Sequence, residues 1–119
     1  MLNYKRLQAI ELQLYGLKKE KRLSEAQSLI EEAVQIIDVH DLLNNAITYW
    51  PLLGFARETD DKTYKLVKGR FLLSSLVGHG WRMKRALKAV RDLAKEWEDK
   101  ELLENCLNKL MELKTSKGS

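Results

Sequence analysis

The sequence is poor in the residues that staple, break or span. It has one cysteine, Cys106, so no disulfide can form within the chain, and such usage fits a reducing, cytoplasmic setting. One proline and six glycines among 119 residues leave little material for turns, which predicts short connections. No window approaches the ~20 apolar residues of a membrane-spanning helix, so no membrane role is expected. The opening "MLNYKRLQAIEL" carries Glu11 and no small-residue cleavage site, so a secretory leader is not expected. The two histidines, His40 and His79, have neither Cys nor His at metal-ligand spacing. No phosphate loop and no nucleophile elbow occurs. His40 stands near Asp38 and Asp41, but a helix start explains those carboxylates better than acid–base work. No catalytic residue, metal or cofactor is therefore expected.

What remains is helical periodicity. Leu7, Ile10, Leu14 and Leu17 space one face of a helix over about 2–20. Ser24 followed by Gln27 reads as a capping box opening a second helix with Ala26, Ile30, Ala33 and Ile37 inward. Asp38 can cap a third helix carrying Leu42, Leu43, Ala46 and Ile47, which Pro51 should end or kink. Thr59 is the expected cap of a fourth helix over 60–77. Its segment "FLLSSLV" is apolar nearly all round and should be the most buried stretch of the protein. Gly78 and Gly80 stop it, and a fifth helix follows over 81–97. Asp99 can cap a sixth, with Leu103, Cys106, Leu107, Leu110 and Leu113 on one side. The expectation is one all-α domain over 1–114, six antiparallel helices, with 115–119 a frayed, disordered tail.

Shifted by sixty residues, the chain partly matches itself. Tyr4-Lys5 falls on Tyr64-Lys65, Ala26 on Ala86, and "DLLNNAI" on "ELLENCL", a pattern of two three-helix units. Residues 64–113 also resemble a tetratricopeptide (TPR) repeat array: "WRMKRALKAVRDLAKEWEDKELLENCLNKL" is similar to the second helix of one repeat and the first of the next. Ala86, like Ala26 and Ala33, stands where that motif has a small residue. Trp81 and Lys21 depart from it, standing where it usually has Gly. The resemblance implies a short solenoid, or failing that a compact bundle, that binds a protein or peptide without catalysis.

Charge is unevenly spread. Lys and Arg number 21 against 17 Asp and Glu, and residues 60–97 hold ten of the basic side chains and only four of the acidic ones. On a helical wheel Met83, Ala86, Leu87, Val90, Leu93, Ala94 and Trp97 form one stripe, with Lys84, Lys88, Arg91 and Lys95 opposite. Four cations in a row, about 16 Å long at ~1.5 Å per residue, are either a solvated outer face or a footprint for an acidic protein or for nucleic acid. No aromatic is expected among those cations. "YWPLLGF" places Tyr49, Trp50 and Phe55 in a short apolar cluster that either plugs the core or forms an interface, including a homodimer contact. The leading expectation is a non-enzymatic adaptor, small complex subunit or chaperone for a protein partner. The alternative is a small nucleic-acid-associated helical protein using the basic face of residues 62–95.

Overall fold

The computed structural model describes residues 4–38, 45–76 and 80–116, with side chains for 5–38, 49–76 and 80–114. The described elements are α1 (Tyr4–Lys19), α2 (Gln27–Asp38), α3 (Asn45–Thr59), α4 (Asp61–Ser75), α5 (Trp81–Glu96) and α6 (Lys100–Ser116), with a 3-10 turn at Leu23–Glu25 before α2. No strand occurs among the described residues. The all-α, six-helix bundle expected from periodicity is the fold found. His40, His79, Leu42, Leu43 and Gly78 lie outside the described residues, as do the side chains of Ala46 and Ile47.

The inward stripes of α1, α2 and α5 follow their 3.6-residue period. Leu7, Ile10 and Leu14 are buried, as are Ala26, Ile30, Ala33 and Ile37, and Met83, Ala86, Leu87, Val90 and Ala94. Several boundaries differ from the sequence reading. Ser24 opens no capping box: it sits in the 3-10 turn, and the Ala26 carbonyl accepts the first bond of α2 from Ile30. Gln27 instead donates to Glu31 at 3.2 Å. Pro51 does not end its helix, which runs on to Thr59. At the seventh helical position Pro51 forgoes one backbone bond and crowds the carbonyl four residues before it, about 3 kcal/mol in a helix interior, and the burial of Leu52, Leu53 and Ala56 offsets that loss. Asp60, not Thr59, caps α4, accepting from the Thr63 N–H at 2.7 Å, while Thr59 Oγ1 donates back to the Phe55 carbonyl. Asp38 belongs to α2, where it accepts from the Tyr49 hydroxyl and pairs with Arg70 at 3.4 Å. Asp99 does cap α6, accepting from the Leu102 N–H at 3.1 Å. The α6 stripe is rotated from the expected one: Leu102, Cys106, Lys109 and Leu113 are buried and Leu107 is exposed. The helix continues through Ser116, into the expected tail, and 117–119 lie outside the described residues.

Two helices end alike. Beyond α1, Arg22 N–H reaches the Leu17 carbonyl and Lys21 N–H the Lys18 carbonyl. Beyond α5, Asp99 N–H reaches Ala94 and Glu98 N–H reaches Lys95. These are Schellman turns, which need a left-handed residue at the first non-helical corner. Glycine usually fills it, yet Lys21 (φ 59°) and Glu98 (φ 56°) do so here.

The helices stack in two layers. The most extensive contacts join α3 to α4 and α5 to α6, while α2 meets α4, α4 meets α6, and α3 meets α5. Tyr15 of α1 packs edge-on against Phe55 of α3, ring centroids 5.1 Å apart. Overall extents of 46 × 35 × 20 Å agree, since two helices of ~10 Å diameter fill the shortest dimension. In such a slab α4 lies in the middle of its layer, with an inner face on α3 and an outer face toward solvent. That position creates the candidate site.

Candidate interaction site on the outer face of α4 and α6

The segment expected to be most buried is divided. Phe71, Ser74 and Ser75 point inward, but Leu73 and Leu76 are 58% and 66% exposed. The inward serines are satisfied locally: Ser74 Oγ donates to the Arg70 carbonyl at 2.7 Å and Ser75 Oγ to Leu72 at 2.8 Å. With both serines turned inward, Leu73 and Leu76 are left on the outer side of α4. The arrangement inverts the usual rule that large apolar side chains go in and hydroxyls out.

Beside these leucines runs a groove of about 510 Å³ between α4 and α6. Leu72, Leu73 and Leu76 give its apolar wall, Lys65 and Lys68 one rim, and Glu101 and Asn105 the other. Gly69 contributes room, for a Cβ there would meet nothing within 4 Å. Beside Leu76, Lys109 of α6, nearly buried, donates to the Leu76 carbonyl at 3.1 Å and to Glu112 at 3.2 Å. It supplies a donor to the C-terminus of α4, whose last carbonyls have no helical partner.

A polar cluster borders the groove. Asp99 Oδ2 accepts from the Tyr64 hydroxyl at 2.7 Å and from Lys68 Nζ at 3.0 Å, and Lys68 also pairs with Glu101 at 3.0 Å. Burial works against the Asp99 charge, but bonds from Tyr64, the Leu102 N–H and Lys68 win and hold its carboxyl below the ordinary range. Burial opposes the Lys68 charge too, and Asp99 and Glu101 outweigh it, raising the ammonium above its usual value. Burial and then Asp99 push the Tyr64 hydroxyl up. Arg57 lies over both Tyr64 and Trp97, 5.1 and 5.4 Å from their ring centroids. The cluster locks α3, α4 and the α5–α6 corner together, so the groove is held by rigid helices.

The residues singled out in sequence fall elsewhere. Of the basic row, Lys88 and Lys95 are exposed, while Lys84 and Arg91 are half-buried and Arg91 lies 3.2 Å from Asp92. An aromatic does stand beside that row, against expectation: Trp81 is 67% exposed. Tyr49 and Phe55 are buried core residues, which leaves only the half-buried Trp50 with surface to offer. Cys106 is buried, and burial pushes its thiol up to about 12. Among the described residues no three His, Cys, Asp or Glu side chains gather as a metal site, and no helix is long and apolar enough to cross a membrane.

Sequence reasoning missed Leu73, Leu76, Lys68 and Lys109. One signal was available for the first two: "FLLSSL" alternates blocks of two, so a helix cannot bury its leucines and its serines on the same side. No protein-family model, curated protein or solved structure matches the chain.

Proposed function

We propose that the protein is a non-enzymatic interaction module that holds a protein segment in the groove between α4 and α6. The observation that carries this reading is the inversion on α4, where Ser74 and Ser75 occupy the core and Leu73 and Leu76 face solvent. Exposed large apolar residues beside a concave, polar-rimmed surface are what a partner's anchor residues bury. The occupant that fits is a segment with apolar side chains for Leu72, Leu73 and Leu76 and a carboxylate for the exposed Lys65, since Lys68 is already paired with Asp99 and Glu101. An acidic, amphipathic helix of a cytoplasmic protein has both.

The test is a photo-crosslinking amino acid placed at Leu73 in the full chain, in its native host, with exposed Gln35 of α2 as the control position. A product specific to Leu73 and lost in Gly69→Gln is expected. Gln at 69 suits a helix but projects into the groove. Equal products from both positions, or only a crosslinked second copy of the chain, would contradict the adaptor reading.

A further inference from the structure

We infer that the outer face of the first half of α5 binds single-stranded nucleic acid, with Trp81 as a base-stacking platform and Arg82, Arg85 and Lys88 as phosphate contacts. This surface lies on a different helix from the α4–α6 groove and does not depend on a partner there.

Trp81 opens α5 with its indole 67% exposed, whereas Trp50 and Trp97 are packed against the core. The guanidinium of Arg82 lies 5.5 Å from the Trp81 ring centroid, so a cation already rests against the indole. Residues 81–88, "WRMKRALK", contain four cations and no acid. Trp81, Arg85 and Lys88 follow one another at i, i+4 and i+7, which sets them on one helix face. All three are exposed, while Met83, Ala86 and Leu87 turn inward. Arg82, Arg85 and Lys88 have no carboxylate partner among the described residues, in contrast to Arg91 beside Asp92. The patch therefore ends where acids enter the helix.

The combination decides the ligand class. Phosphates or carboxylates would equally satisfy the cations. A single strand offers an unpaired flat ring at every nucleotide to the indole and a phosphate to the cations beside it, whereas a duplex keeps those rings inside its own stack. A peptide whose side chains are all carboxylates leaves Trp81 idle. Ribose and deoxyribose strands share the needed chemistry, so both are probed.

The experiment titrates the full chain into dye-labelled oligo(U) and oligo(dT) of about twenty nucleotides, several times the shortest single-strand site, reading anisotropy and tryptophan emission at rising salt. Binding with quenching is expected, and the stronger of the two oligomers identifies the preferred sugar. Trp81→Ala should weaken binding about 5- to 100-fold, and Trp81→Phe should restore most of it. Arg85→Glu with Lys88→Glu should weaken binding and lower the salt slope by about 0.7 for each phosphate no longer neutralised. Thermal melts of each variant report the fold, and should Trp81→Ala melt early, Trp81→Phe and the charge reversals carry the test. No binding at low salt, unchanged binding by Trp81→Ala, equal affinity for a duplex, or displacement by poly-glutamate as effective as by the unlabelled oligomer would each overturn the inference.

Discussion

The Tyr64 hydroxyl donates to Asp99 Oδ2 at 2.7 Å, tying the first turn of α4 to the cap of α6. One carboxylate thus serves as helix cap, acceptor for a buried phenol and counter-ion for Lys68. Asp99→Ala should cost at least the ~1 kcal/mol of a lost cap. It should approach ~3 kcal/mol, because Lys68 keeps only the more exposed Glu101 as partner. Urea denaturation of the variant measures it, and a loss below about half a kcal/mol would remove the cluster from the account.

The same cluster sets a pH response. Asp99 is held below its ordinary range in the fold, so its contribution is complete above the unfolded value of ~3.9 and is lost as pH falls through the folded one. Tyr64 and Lys68 are raised, so theirs is complete below ~10 and lost as pH climbs through their folded values. The melting temperature should be flat near neutrality and fall on both sides. Tyr64→Phe should melt lower at pH 7 and show a shallower alkaline decline, which calorimetry at several pH values will reveal.

The Schellman corners store removable strain. Lys21→Gly and Glu98→Gly should each stabilise by about 0.5–1 kcal/mol, because a side chain in the left-handed region costs ~1–2 kcal/mol and glycine's added unfolded-state freedom returns part of that. Destabilisation by either variant would show that its corner is not strained.

Ala86 is fully buried on a stripe of larger residues. Ala86→Leu should overpack the core and lower stability by roughly 1–3 kcal/mol. An unchanged melting temperature would mean that the space around α5 is looser than its burial implies.

Much of this fold was legible before the structure. The stripes on α1, α2 and α5 and the cap at Asp99 were readable because one face of each helix is plainly apolar and the cap residue sits at a break. Pro51 misled because a proline inside a helix is costly by itself, and the core packing on either side of it outweighs that cost. The α6 stripe misled because Lys109 is buried for its donor, a role that apolar spacing cannot register. The groove was hidden for a related reason. "FLLSSLV" sets its leucines and its serines on different sides of the helix, but only the position of α4 among its neighbours decides which side becomes surface. Trp81 was legible as surface, because its spacing to Arg85 and Lys88 sets it on the polar face of α5, and the expectation of a basic face without an aromatic overlooked it.

The proposed function requires that Leu73 and Leu76 belong to a binding surface and not to the core. The most direct measurement pairs a thermal melt of Leu73→Asp/Leu76→Asp with its affinity for the protein captured at position 73. Exposed sites outside the core should shift stability by only about half a kcal/mol each, so the account predicts a near wild-type melt with affinity reduced more than about tenfold, the mark of a missing interface anchor. A variant that unfolds, or one that binds as tightly as wild type, would contradict it.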